Sequence, residues 1–154
     1  MDLTSKIITD TDYTVFAVFR AIDWTKSTMG EIISVSDGVG LGLSIGKPDG
    51  VFPGLGSISD TGARTSDDTT LADTWYIATY KKDHLYRNGI ELDYVETGIP
   101  TFTDGLYSIG GDMIDLSSTY MDIAEIIAVG RSLSAADRAS IEQYLANKYA
   151  ISLS

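Results

Sequence analysis

Glu91, Asp93 and Glu96 place three carboxylates in one six-residue run, Glu91-Leu-Asp-Tyr-Val-Glu96, directly after Asn88-Gly89. Carboxylates gathered around a bond can divide the labour of hydrolysis, one protonating the leaving group while another attacks or activates water. No tryptophan stands beside this run to hold a sugar ring, and 154 residues leave little material for a substrate cleft. An acidic strand end facing solvent is the plainer expectation.

Other candidates have equally plain alternatives. Asp122 and Glu125 flank and enter an apolar run. Their odd spacing sends them to opposite faces of a regular strand. Glu125, set among apolar neighbours, needs partners for its oxygens, most simply backbone N–H groups of a nearby loop. His84 is the single histidine and lies beside Lys81 and Lys82 at a turn, which reads as surface. Calcium takes oxygen ligands, and Asp60, Asp67, Asp68 and Asp73, or Asp112 and Asp115, could supply them. None of these forms a D-x-D-x-D-G loop, so solvated aspartates and no cofactor are expected, with Asp112 and Asp115 the weak metal candidates. Trp24, between Asp23 and Thr25-Lys26, is the candidate ring for stacking a sugar. Trp75 opens an apolar strand and reads as core. No residue is expected to be catalytic.

Composition narrows the class further. The net charge of −11 repels phosphate backbones and anionic headgroups, which argues against nucleic acid and membrane surfaces as partners. The absence of cysteine excludes disulfides, thiolate catalysis and zinc–thiolate sites. No stretch reaches the ~20 apolar residues of a membrane span. The N-terminus, Met1-Asp-Leu-Thr-Ser-Lys, lacks the basic and apolar regions of a signal peptide, so synthesis in the cytoplasm without a leader is expected.

The elements that must position these residues are mostly strands. Val15 to Phe19 is an unbroken apolar run, which predicts a strand covered on both faces. Residues 30–36 and 39–45 flank Asp37-Gly38 and predict a hairpin; residues 84–87 and 90–95 do the same around Asn88-Gly89. Trp75–Tyr80, residues 106–110 and Asp122–Val129 complete the strands; 46–73 is the least regular part, with turns at Lys47-Pro-Asp-Gly50 and Pro53-Gly54, and Ser57–Asp73 reads as an exposed loop around one short strand. Ser134 can cap a helix with Asp137 reaching back, and Ile141, Tyr144, Leu145 and Tyr149 form its apolar stripe. Arg138 and Glu142 are expected on its outer side, and the helix is expected as a lid at the sheet edge.

Tyr13-Thr-Val-Phe-Ala-Val-Phe-Arg20, Leu85-Tyr-Arg-Asn-Gly-Ile90, Tyr107-Ser-Ile-Gly-Gly111 and the closing Ile123-Ala-Glu-Ile-Ile, Leu133-Ser-Ala-Ala-Asp137, Tyr144-Leu and Lys148-Tyr149 together resemble the laminin-G-like jelly roll of the concanavalin A-like lectin and glucanase superfamily. The resemblance implies one all-β domain over residues 1–154: two stacked antiparallel sheets in a jelly-roll sandwich, closed by one short C-terminal amphipathic helix. Glu91, Asp93 and Glu96 are similar to the E-x-D-x-x-E strand of family 16 glycoside hydrolases, where a β-bulge aligns nucleophile, helper and general acid. Here the match falls in the hairpin that non-catalytic relatives use as scaffold. Ala150 departs from the family's glycine after Lys-Tyr, which predicts a cost of about 1 kcal/mol or an altered helix end.

From this resemblance, the expectation is a non-enzymatic bacteriophage virion surface protein, a capsid decoration or host-contacting component. Its partners would be other virion proteins, host surface glycans or further copies of itself. The alternative is a carbohydrate-binding lectin-like module, with or without calcium.

Overall fold

The protein is represented by a computed structural model, which describes residues 13–22, 30–35, 41–45, 55–59, 62–66, 73–81, 84–96, 107–110 and 121–154. Two antiparallel sheets and one C-terminal helix make up the described fold. The five-stranded sheet runs, in spatial order, β11 (Met121–Val129), β1 (Thr14–Ala21), β6 (Trp75–Lys81), β7 (His84–Arg87) and β8 (Ile90–Glu91). The six-stranded sheet runs β10 (Tyr107–Ile109), β2 (Gly30–Val35), β3 (Leu41–Ile45), β4 (Leu55–Ser59), β5 (Gly62–Ser66) and β9 (Tyr94–Glu96). This is the all-β sandwich with a single short helix that the sequence predicts.

β1 is the axis of the packing. Val15, Ala17 and Phe19 face the second sheet and pack in one buried cluster with Ile32, Ile33, Tyr76, Tyr80, Leu85 and Leu92. Phe16 and Val18 point the other way and join Ile77, Leu133, Leu145 and Ala146 beneath helix α1 (Ala135–Tyr149). The strand is therefore covered on both faces, as its unbroken apolar run requires. Fully buried Thr14 ties the strand to the helix entry: its hydroxyl donates to the Arg131 carbonyl and accepts from the Leu133 N–H, both at 3.0 Å.

The helix boundaries follow the sequence, but its faces differ from expectation. Ser134 Oγ accepts from the Asp137 N–H at 3.1 Å and donates to the Asp137 carboxylate at 2.9 Å. At the far end Ala150 adopts the left-handed conformation, φ 54°, and the Ile151 N–H closes back on the Ala146 carbonyl at 3.0 Å. The helix thus ends as a glycine-capped one would, with alanine bearing the strain. Tyr144 is half exposed, whereas Glu142, expected on the outer side, is buried with Leu145 and Ala146. The helix lies over β1 and β6 in mid-sheet rather than along its edge.

Two further differences concern strands. The run 57–73, expected as a loop around one short strand, instead enters two, β4 and β5, which pair with each other; the ladders of β3 and β9 on either side supply pairing that its Ser/Thr/Asp/Gly composition does not advertise. The run 90–95, read as a single strand, breaks at Leu92. The Asn88-Gly89 turn has positive φ at both residues, 48° and 86°, as its type demands. β2 and β3 pair antiparallel as expected, although Asp37 and Gly38 lie outside the described residues.

Two substitutions test this packing by urea unfolding. Leu145→Ala is expected to lower stability by about 2–4 kcal/mol, because it empties the seam between helix and sheet. Ala150→Gly is expected to raise it by about 0.5–1 kcal/mol by relieving the left-handed alanine. No gain from the glycine would show that the helix end relaxes in solution.

Candidate functional site

The acidic triplet is divided between two sheets. Glu91 ends β8 in the five-stranded sheet, while Glu96 belongs to β9 and pairs in register with Arg64 of β5 in the other. Leu92 causes the division: its N–H donates to the Leu85 carbonyl at 2.8 Å, and its side chain is buried between the sheets, so the chain crosses there. Asp93 is exposed at the crossing, and Glu91 Oε1 meets His84 Nδ1 at 2.6 Å on the surface. Three carboxylates on a single bulged strand, the arrangement that the similarity to family 16 glycoside hydrolases implies, do not form from this backbone path.

Asp122 and Glu125 do come to one face, against the expectation from regular alternation. A bulge at Ala124 shifts the register, so Asp122 lies opposite Arg20 and Glu125 opposite Val18. Arg20 and Val18 share a face of β1, and therefore so do the two acids. They bind different cations instead of a common metal. Asp122 takes the Arg20 guanidinium, with Nε at 3.1 Å, and Glu125 takes Lys148 Nζ of the helix at 3.0 Å. Lys148 supplies the partner expected from a backbone loop. The hydrogen bond from Lys148, followed by one from the Tyr149 hydroxyl, holds the Glu125 carboxyl below its ordinary value, and Lys148 is correspondingly raised.

Sequence reasoning missed the polar contact beneath the helix. Thr79 Oγ1 donates to Glu142 Oε1 at 2.7 Å, and Arg138 Nη1 donates to Oε2 at 2.5 Å. Arg138 also lies over the Tyr86 ring, 3.9 Å from its centroid. Burial first, and then the Glu91 charge, raise the Tyr86 phenol above 10.0 and keep it protonated. Each oxygen of Glu142 is occupied, so this group anchors the helix and is not poised for chemistry. The i, i+4 spacing of Arg138 and Glu142 was legible; that the pair faces inward depends on Thr79, which is distant in sequence.

The described residues also line a surface groove of about 420 Å³ between the start of β6, the β7–β8 turn and the segment after the helix. Asp73, Thr74, Trp75, Asn88, Tyr149 and Ser152 contribute its rings and polar groups. Trp75 is partly buried against the helix-side core and does not lie within it, with the Arg20 guanidinium 5.3 Å from its ring centroid. Asn88 is fixed by two bonds to Ile77: its N–H donates to the carbonyl at 2.9 Å and its Oδ1 accepts from the N–H at 2.8 Å. Ser154 N–H then donates to the Asn88 carbonyl at 3.1 Å, holding the chain end against the hairpin.

His84 is at the surface, as expected. Trp24, Asp60, Asp67, Asp68, Asp112 and Asp115 lie outside the described residues. Among the described residues no set of three or more His, Asp or Glu side chains could hold a metal ion, and no helix is long and apolar enough to cross a membrane.

No family model and no curated protein matches the chain. Solved structures of similar fold include a Trypanosoma rangeli sialidase in complex with 2,3-difluorosialic acid, with a TM-score of 0.63, 14% identity and 94% of this chain covered. The match takes in only 24% of the sialidase chain. Domain 4 of AbnA, a GH43 extracellular arabinanase from Geobacillus stearothermophilus, in complex with arabinotriose, gives a TM-score of 0.57 at 13% identity, over 88% of this chain and 68% of that one. The shared property is the fold, a β-sandwich found in carbohydrate-active proteins.

The Glu125–Lys148 bond has a pH signature. Because the folded carboxyl is held below 4.5, its stabilisation is complete above that value and disappears as pH falls through the lower folded value. Melting temperatures of the unmutated protein and Glu125→Gln should therefore converge between about pH 6 and about pH 3. A constant difference across that range would refute the assignment.

Proposed function

We propose that this protein is a non-catalytic, lectin-like recognition module of the laminin-G-like jelly-roll type, displayed on a bacteriophage virion as a decoration or host-contacting component and binding surface glycans. The observation that carries the non-catalytic reading is the division of Glu91 and Glu96 between two sheets. That division leaves the run most suggestive of hydrolysis without a common face. The glycan reading is supported by the fold's occurrence in carbohydrate-active proteins, one of them bound to arabinotriose. It is supported too by a groove combining aromatic rings with hydroxyl, amide and carboxylate groups, the usual equipment for sugar recognition. The virion setting draws on the sequence resemblance and on a net charge of −11, which favours solubility at the high local concentration of a particle surface.

A glycan array probed with the unmutated protein, with and without chelator, tests the binding activity; a panel of oligosaccharide substrates tests for turnover. Binding without hydrolysis is expected, and Glu91→Gln should leave binding unchanged. Hydrolysis abolished by Glu91→Gln would overturn the non-catalytic reading. Loss of binding on chelation would make calcium part of the site.

A further inference from the structure

Resting on that lectin-like reading, we infer that the groove between β6, the Asn88-Gly89 turn and the C-terminal segment is the glycan site, and that its ligand is a neutral sugar. Three observations converge on this place. Its volume of about 420 Å³ falls in the range of small-ligand sites and suits one or two sugar units. Trp75 and Tyr149 give it apolar surface against which the C–H face of a sugar can pack.

The third observation is the backbone. Asp73, Asn88 and Ala150, with φ of 56°, 48° and 54°, are the non-glycine residues with left-handed conformation among those described, and all three line the groove. Asn88 belongs to a hairpin turn and Ala150 to a helix end, so each has a local reason. Asp73 has neither. Its N–H donates to the Ala21 carbonyl at 2.8 Å, which fixes the backbone, and its exposed carboxylate has no partner among the described residues. Held this way, the carboxylate is an acceptor available to a pair of sugar hydroxyls, while the Asn88 side-chain NH2, not engaged by Ile77, can donate.

The charge pattern selects the ligand class. Asp73 is the only charged residue among the described lining. The cations nearest the two rings, Arg20 beside Trp75 and Lys148 beside Tyr149, are bound by Asp122 and Glu125. A sialylated or uronic sugar would bring its carboxylate to Asp73 with no cation among the described lining residues to receive it. A neutral oligosaccharide meets no such penalty.

The test uses an array of neutral oligosaccharides with sialylated and uronic counterparts, probed with the full chain and two variants. Ser152→Trp fills the groove from an exposed position in the tail, and Asp73→Asn removes the charge while keeping a side chain that tolerates left-handed backbone. Both variants should melt as the unmutated protein does. Neutral glycans should bind the unmutated protein, and each variant should lose about tenfold or more in affinity. Binding retained by both variants would overturn the groove while sparing the lectin-like reading. Preference for the sialylated or uronic members would overturn the ligand class. No binding by the unmutated protein to any member would overturn the inference and the glycan reading together.

Discussion

The rest of the structure depends on β1 being buried on both faces. Val15 to Phe19 offers no polar side chain to either side, so one covering layer leaves either Phe16 and Val18 or Val15, Ala17 and Phe19 in water. The second sheet covers one set and helix α1 the other. The chain order follows from that need. β11 pairs with β1, the strand exits tightly beside Thr14, and the helix doubles back across the face that strand pairing alone leaves open. Residues most distant in sequence are thereby joined, and the helix is as much a part of the core as any strand.

Docking an amphipathic helix on an apolar sheet face normally requires only hydrocarbon, yet this one inserts Glu142. A buried carboxylate is costly unless both oxygens are satisfied, and here Thr79 and Arg138 occupy them. Apolar packing would tolerate rotation or sliding of the helix over Phe16 and Ile77. The Thr79 hydrogen bond does not, because a turn's displacement would leave the charge unpaired. Arg138, spread over the Tyr86 ring, extends the same lock towards the sheet's other edge. Burial of one polar group thus sets the helix's position while the apolar contacts supply most of its attraction.

How much of this was readable along the chain depended on whether the deciding contact was local. The Ser134 cap, the Asn88-Gly89 turn and the double burial of β1 are written in neighbouring residues, and all appeared where expected. The β4–β5 hairpin was hidden because its partners, β3 and β9, decide its pairing. The break at Leu92 was hidden because Ile90-Glu-Leu-Asp-Tyr-Val95 keeps its alternation across the point where the backbone changes sheets. The inward face of Glu142 and the bulge at Ala124 were likewise invisible: each requires knowing which distant strand lies opposite. For the candidate site, Asn88 was singled out only as a turn, Trp75 was assigned to the core, and Tyr149 to the helix stripe. Their common groove exists only once β6, the hairpin and the helix end meet.

The position of that groove follows from the same constraint on β1. Where the helix lies over Phe16 and Val18, the sheet face is sealed, and no ligand can reach the aromatic or aliphatic groups beneath it. The seal must end where the helix ends, at Ala150, and the chain turns there through left-handed backbone towards Asn88. Trp75 and Tyr149 stand at that boundary, partly packed against the helix-side core and partly open. The bulge at Ala124 puts Asp122 and Glu125 on this face as well, where they neutralise Arg20 and Lys148 and leave the boundary weakly acidic. Apolar surface, turn backbone and compensated charge thus meet where the covering layer stops, which is where the glycan site is proposed.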